Sequence, residues 1–324
     1  MKYFELNTKS GKMWRTAKIS ELLVELGLYG IERQLRDTYK TGMYIPFKNE
    51  EYTLQRFKTD NSEGLQFGKF EKGVLVKEKQ NKVYKALIMA DLHFKYEDKA
   101  SVDILYQFLD KHKHELHEIV DGGDGIDASS LGKHVCTEEE KHDLYSEMEA
   151  YSEHMNKLKS IIPNAKFSIL ECNHYYLRLK RFIAENPAMK NMIKEVKFKF
   201  DEKAPHGTPY FPLHEYGQNK IAGIHGIYFN DNFTKKNTIS YNHDMFQAHT
   251  HTFQAYKADN QLTSYGIPCM CKKEMAYLQG RPNRWVNGFA VLSWFPDEER
   301  YALEFCFVEN GVGVYRDEVY ISNV

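Results

Sequence analysis

Residues 83–93 read Val83-Tyr84-Lys85-Ala86-Leu87-Ile88-Met89-Ala90-Asp91-Leu92-His93. The apolar run Val83 to Ala90 has the length and character of a strand buried on both faces. A carboxylate and an imidazole follow at once. The same arrangement recurs downstream. Leu116 to Val120 leads into Asp121-Gly122-Gly123-Asp124, Ala165 to Leu170 into Asn173-His174, Lys220 to Ile224 into His225-Gly226, and Met245 to Ala248 into His249-Thr250-His251. Amphipathic stretches from Ala100 to Lys113, from about Thr137 to Ile161, and from about Tyr176 to Ala184 before Pro187 separate the first strands. The order β-α-β-α-β-α predicts a largely parallel sheet with helices outside it. After Phe200 the signals turn β-like, adding Phe253 to Lys257, Gly288 to Phe295, Ala302 to Val308 and Gly313 to Val319, with few helical patterns. A second sheet packed on the first is the economical solution, so the expected class is α/β, a two-sheet αββα sandwich. Ligands of such sheets bind beyond the carboxyl ends of the strands, where these polar residues lie.

Asp, His and Asn from five strand ends form an oxygen and nitrogen ligand set for two adjacent divalent cations. Asp91 and His93 are two residues apart, so an extended chain would point both at one ion. Asp124 follows paired glycines that permit a sharp turn, and its two oxygens suit a bridge between cations about 3.5–4 Å apart. Asn173, His225 and His249 would complete a second metal, with His251 returning to the first. Four imidazoles favour borderline metals, so manganese is expected first, with iron, zinc or nickel as other candidates, ahead of magnesium. Two such ions lower the pKa of a bridging water from 15.7 toward about 7 and hold phosphate oxygens. His174, not needed as a ligand, is then available as general acid, and Asp127 is placed to orient it.

These residues resemble the calcineurin-like metallophosphoesterase superfamily, whose pattern is D-x-H, G-D-x-x-D, G-N-H-[DE], H and G-H-x-H. The resemblance covers about Lys82 to Lys257. It implies metal binding by Asp91, His93, Asp124, Asn173, His225, His249 and His251, with His174 as the acid. The tail, Gly266-Ile267-Pro268-Cys269-Met270-Cys271 with Tyr277 to Trp285 and Asn287-Gly288-Phe289, looks like the segment that ends phage-type, DNA-repair exonuclease-like members. Three positions depart from the pattern: Cys172 replaces a Gly, Tyr175 an acidic residue, and Ala248 a Gly. A left-handed backbone at Cys172 would carry strain of about 1–3 kcal/mol, or the loop would differ. Tyr175 leaves the support of the site in question, so an unusual substrate or reduced activity is an open expectation. Asp127-Ala128-Ser129 lacks the Arg found there in phosphoprotein phosphatases, which counts against a protein substrate.

The 324 residues, 42% hydrophobic and 27% charged, suit one large core and an accessory module. No apolar run of membrane length and no apolar leader is seen, so a cytoplasmic protein with no membrane partner is expected. Five cysteines are too few and scattered for a disulfide framework, and Cys269-Met270-Cys271 lacks zinc-knuckle spacing. A boundary near residue 80 separates an accessory domain, 1–80, from a catalytic domain, 81–324. In the first, Ile19, Leu22, Leu23 and Leu26 repeat at helical spacing after a cap at Thr16, and a second helical pattern runs from Ile31 to Tyr39. Strand-like pieces lie at Tyr52 to Phe57 and Gly73 to Val76, so a helix-turn-helix with a wing, or a plain packing module, are both open. From Met1 to Lys85, 17 Lys and Arg face 11 Asp and Glu, an excess of six, while the whole chain has net charge -1.

Bland readings stand beside the sharp ones. His112, His114 and His117 read as solvated helix-end residues, and His243-Asp244 as a surface pair or as support for His249. Arg178, with Arg181, is either turned to the site to neutralise a phosphate or is ordinary helix charge. Tyr175, Tyr176, Trp285 and Phe289 would stack bases at the rim or simply pack. Three functions are in play: a metal-dependent phosphodiesterase acting on nucleic acid, most plausibly a nuclease; a hydrolase of small or cyclic phosphoesters; and a binding module on a catalytic scaffold.

Overall fold

A computed structural model describes residues 2–8, 13–16, 23, 26, 28, 35, 45–47, 50–58, 69–71, 74–75, 82–132, 143–193, 196–275, 278 and 280–324. The chain divides into two compact units, Met1–Lys82 and Val83–Val324.

The described residues of the first unit form a six-stranded sheet in the order β3-β4-β1-β2-β5-β6. Its strands are β1 (Lys2–Thr8), β2 (Met13–Thr16), β3 (Ile45–Phe47), β4 (Glu50–Lys58), β5 (Lys69–Glu71) and β6 (Val74–Leu75), all paired antiparallel. Two strands thus precede the expected first helix. Thr16, expected to cap that helix, instead closes β2. Leu23 and Leu35 are helical and buried. The remaining residues of the two expected helices, and hence the helix-turn-helix reading, lie outside the described residues.

The second unit is an α/β sandwich of two sheets. The larger has eight strands in the order β10-β9-β8-β7-β15-β16-β17-β18. At its centre β7 (Tyr84–Met89), β8 (Leu116–Asp121) and β9 (Lys166–Leu170) run parallel, with β10 (Glu202–Ala204) beyond them. The smaller sheet, β11-β12-β14-β13, contains β11 (Ile221–Ile224), β12 (Asp244–Gln247), β13 (Gln254–Lys257) and β14 (Thr263–Gly266). Successive side chains of a strand face opposite ways, and β7 uses both faces. Leu87 and Met89 pack with Ile104, Leu105 and Phe108 of α1 (Lys99–His112) and Met155 and Leu158 of α2 (Leu144–Ile161). Ala86 and Ile88 pack with Ile221, Phe246 and Trp294 against the second sheet. This is why the 83–90 segment reads as continuously apolar.

Several details differ from expectation. The last strands, β15 (Asn287–Phe295), β16 (Arg300–Glu309), β17 (Val312–Tyr315) and β18 (Glu318–Ile321), extend the first sheet because β15 pairs with β7. Gly313 to Val319 is a hairpin turning near Arg316 rather than one strand. After α3 (Arg178–Glu185), a fourth helix, α4 (Phe233–Tyr241), lies against β12 and β14 where helical patterns looked scarce. His112 is not simply solvated: its ring stacks on Phe108 and its Nε2 lies 2.8 Å from a Glu318 carboxylate oxygen.

One buried carboxylate ties the layers together. Glu118 of β8 accepts hydrogen bonds from Ser168 Oγ at 2.7 Å, from the Tyr210 hydroxyl, and from the Leu213 backbone N–H at 2.6 Å. Removing it strands the Leu213 N–H and leaves the Ser168 and Tyr210 hydroxyls, 2.7 Å apart, to share one bond between them. Glu118→Ala is expected to cost about 3 kcal/mol or more, read as a lower urea midpoint; an unchanged midpoint would contradict this role.

Candidate metal centre

Five loops converge: β7, β8 and β9 are parallel neighbours in the larger sheet, and β11 and β12 are parallel neighbours in the smaller one packed on it. The ladder between β7 and β8 continues past the strand ends: Asp91 N donates to Gly123 O at 2.9 Å, His93 N to Asp124 O at 2.9 Å, and Phe94 N to Gly125 O at 3.0 Å. The loop after β12 is joined to that after β7 by the His249 N–H, which donates to Asp91 Oδ2 at 3.0 Å. The chain here is not extended, as had been expected for Asp91 and His93. Both are left-handed, with φ of 52° and 48°, as are Asp124 at 51°, His249 at 77° and His251 at 57°. Left-handed non-glycine residues are uncommon, and five of them meet at this one spot.

Asp124 is the hub. Its Oδ2 lies 3.0 Å from His225 Nε2, 3.8 Å from His174 Nε2, and 4.0 Å from both His93 Nε2 and His249 Nδ1. The Asn173 Oδ1 is 2.8 Å from His225 Nε2. On the other flank His251 Nε2 lies 3.2 Å from His93 Nε2 and 3.4 Å from Asp91 Oδ1. Two groupings follow, Asp124 with His225, His249 and Asn173, and Asp91 with His93 and His251. The structure brings all seven expected ligands together, and sets His174 and Asp127 beside them. Asp127 Oδ1 is 2.8 Å from His93 Nδ1 and 2.9 Å from His174 Nδ1, so it orients both rings. Arg178 is turned to the site: Nη1 donates to Asp127 O at 2.8 Å, and Nη2 is 3.4 Å from His174 Nε2.

The donor chemistry fits cations. His225 Nδ1 donates to Gly122 O at 2.7 Å, which leaves Nε2 facing two oxygen acceptors. His93 Nδ1, committed to Asp127, likewise leaves Nε2 facing His251. Asp91 Oδ1 and Asp124 Oδ2 are buried with no hydrogen-bond donor. Such a convergence of lone pairs needs protons or metal ions. Burial alone would push His225 down, but Asp124 overrides it and raises the imidazole to about 9. Burial and Asp91 act in the same opposing way on His251, also raised to about 9. Burial disfavours ionised Asp91 and Asp124 too, yet His251 holds the first below the usual carboxylate range, and His174 and His225 hold the second well below it.

Several supporting residues escaped the sequence reading. Asp121 accepts from Gly123 N at 2.8 Å and from the Tyr151 hydroxyl, bracing the double-glycine turn. Buried Glu147 accepts from Ala128 N at 2.6 Å and Ser129 Oγ at 2.9 Å, fixing the turn after Asp127. Cys271 places Sγ 3.6 Å from His251 Nδ1, which leaves that ring's Nε2 for the site. Glu147 and Cys271 carry no spacing signal, since each is distant in sequence from its partner, and Asp121 is distant from Tyr151.

Cys172 carries no left-handed strain: its φ is -112° and its ψ 169°. Gly123 next to it in space takes the positive φ instead. From Cys172 the chain enters a π turn, Asn173–Leu177, a local form frequent at functional sites. Tyr175, expected at the rim, is buried in the helix-side core against Tyr176, because the turn carries it inward. Phe289 is also core, at 0% exposure. Trp285 stays at the site, edge-on to His251 with ring centroids 4.2 Å apart. Asp244 binds Thr263 N and the Tyr301 hydroxyl, so the His243-Asp244 pair is structural.

No protein-family model and no curated protein matches the chain. Among solved structures, Vps29 of Chaetomium thermophilum is 11% identical over 74% of this chain and 99% of that one, with a TM-score of 0.41. A Vps29 single mutant from Entamoeba histolytica is 11% identical with the same coverage and a TM-score of 0.38. A dimetal phosphatase from Danio rerio is 8% identical over 74% and 99% of the two chains, with a TM-score of 0.35.

Two outcomes are expected. A Cβ at Gly123, where φ is 97°, would lie 2.5 Å from His225 Nδ1 and 2.8 Å from Leu170 O. Gly123→Ala should therefore lower stability by about 2–4 kcal/mol and reduce metal content; normal content and urea midpoint would contradict the packing. Because His225 and His251 hold protons up to about pH 9, metal must displace them. Affinity should rise from pH 6 to pH 8 by about tenfold per unit for each proton expelled, as calorimetry in buffers of different ionisation enthalpy would show. A flat profile would mean that these rings do not bind metal.

Proposed function

We propose that the second unit is a metal-dependent phosphoester hydrolase with a binuclear centre, acting on phosphodiesters as a nuclease. The carrying observation is the buried Asp124 Oδ2, which lacks a hydrogen-bond donor and is ringed by four imidazoles from four loops. Asp91, His93 and His251 would hold one cation, Asn173, His225 and His249 the other, and Asp124 both. Bound there, such ions lower the pKa of coordinated water and neutralise charge on a phosphate. Manganese, iron or zinc suits this imidazole-rich set better than magnesium.

The protein's own groups supply the rest. Arg178 presents a fixed positive charge beside His174, suited to a phosphate oxygen. The Nδ1–H of His174 donates to Asp127, which fixes the ring and directs Nε2 into the site. That nitrogen is where a proton for the departing alkoxide would be held. A diester is preferred to a protein phosphomonoester because the position after Asp127 is Ala128, with no arginine there. The six-charge excess of the first 85 residues suits a polyanionic substrate.

Hydrolysis of an aryl phosphodiester, an aryl monoester, single-stranded DNA and RNA with manganese, and its loss with chelator, tests the reading. Asp124→Asn should lose metal and activity together. His174→Ala should keep both metals, lose roughly 10²–10⁴-fold of the rate on alkyl leaving groups, and lose much less on nitrophenolate. Equal losses on both would remove His174 from the role of acid.

A further inference from the structure

The metal centre opens on one side into a cleft of about 300 Å³, walled by Phe229, His249, Thr250, Phe253, Gln254 and Arg284. Phe229 is the odd residue there. It is 79% exposed, although it sits in a loop that is pinned on both sides. Gln247 Nε2 donates to Tyr228 O, and Gln254 Nε2 donates to Asp231 O at 2.8 Å. A single exposed aromatic residue is ordinary. This one is held edge-on to the imidazole of His249, ring centroids 6.3 Å apart at 84°, so one face of the ring is presented next to a candidate metal ligand. The rest of the wall is chemically mixed. Thr250 and Gln254 are polar, Phe253 is aromatic and 39% exposed, and at the rim Arg284 faces the carboxylate of Asp231 at 4.0 Å.

We infer that this cleft is a nucleoside subsite: Phe229 stacks on the base of the nucleotide whose phosphate lies at the metal centre. The inference rests on the phosphoester reading and names the substrate's recognised part. The volume is at the small end of ligand sites and suits one nucleoside rather than a length of strand. Aromatic stacking accepts any base, while the Thr250 hydroxyl offers a partner to the sugar or the base edge. Of the four aromatic residues expected to stack bases, Tyr175 and Phe289 are core, Tyr176 packs against that core, and Trp285 lies against His251. Phe229 takes that place because a loop between β11 and α4, not a motif, carries it to the site.

The test compares two esters with one leaving group, using the full chain with manganese: methyl p-nitrophenyl phosphate and thymidine 5′-(p-nitrophenyl phosphate). Wild type should prefer the nucleoside ester. Phe229→Ala should lower kcat/KM for that ester about tenfold more than for the methyl ester, and Phe229→Trp should restore the preference. A parallel measurement, without added metal, follows quenching of 2-aminopurine riboside 5′-monophosphate, which should be weakened by Phe229→Ala. Equal effects on both esters, or quenching indifferent to Phe229, would overturn the subsite while leaving the hydrolase reading intact. Quenching that depends on Phe229 with neither ester cleaved would support the subsite and sink the hydrolase reading.

Discussion

A buried carboxylate oxygen without a hydrogen bond is the constraint on which the second unit depends. Asp124 Oδ2 is enclosed and has no donor, and four imidazole nitrogens stand 3.0 to 4.0 Å from it. Burying such a charge costs several kcal/mol unless positive charge answers it. The rest of Asp124 is engaged: its carbonyl accepts from His93 N and its Oδ1 from His174 N at 3.2 Å. One residue thus joins the loops after β7, β8 and β9 through ordinary hydrogen bonds, while its last oxygen faces the imidazoles. A cation there would satisfy this oxygen together with the lone pairs of His225, His249 and His93.

The scaffold accepts local strain to make this meeting possible. Asp91, His93, Asp124, His249 and His251 all have positive φ, a conformation that costs of order 1 kcal/mol or more at each residue. Parallel neighbours on a rigid sheet hold them there. The backbone bonds between 91–94 and 123–125, and those from Met270 N to Ala90 O and from Val286 N to His251 O, fix the loops independently of their side chains. The site is preorganised by its backbone. Cys271, Asp127 and the Gly122 carbonyl then set which nitrogen of each ring faces inward.

Much of this was legible in the sequence because it depends on short-range order. A strand buried on both faces gives an apolar run, and a ligand at its carboxyl end follows directly, so 83–93 announced both the layer and the site. What was illegible depends on distant partners. The pairing of β15 with β7 places the last four strands in the first sheet, and nothing within 287–321 distinguishes that from a place in the second. The convergence of Asp91 and His93 was anticipated for the wrong reason, since left-handed turns rather than an extended chain bring them together. Tyr175 looked like a rim residue because it follows His174, yet the π turn carries it inward. Phe229 had no signal because an exposed loop residue leaves no periodicity, and Glu147 had none because a buried carboxylate in the first turn of α2 reads like ordinary helix charge.

The central claim is that Asp124 joins two cation sites, and anomalous scattering from crystals soaked in manganese addresses it most directly. Two peaks are expected, both within ligand distance of Asp124, one shared with Asp91, His93 and His251 and the other with Asn173, His225 and His249. Two peaks without Asp124 between them, or a soaked crystal in which His93 or His249 lies far from any ion, would contradict the account.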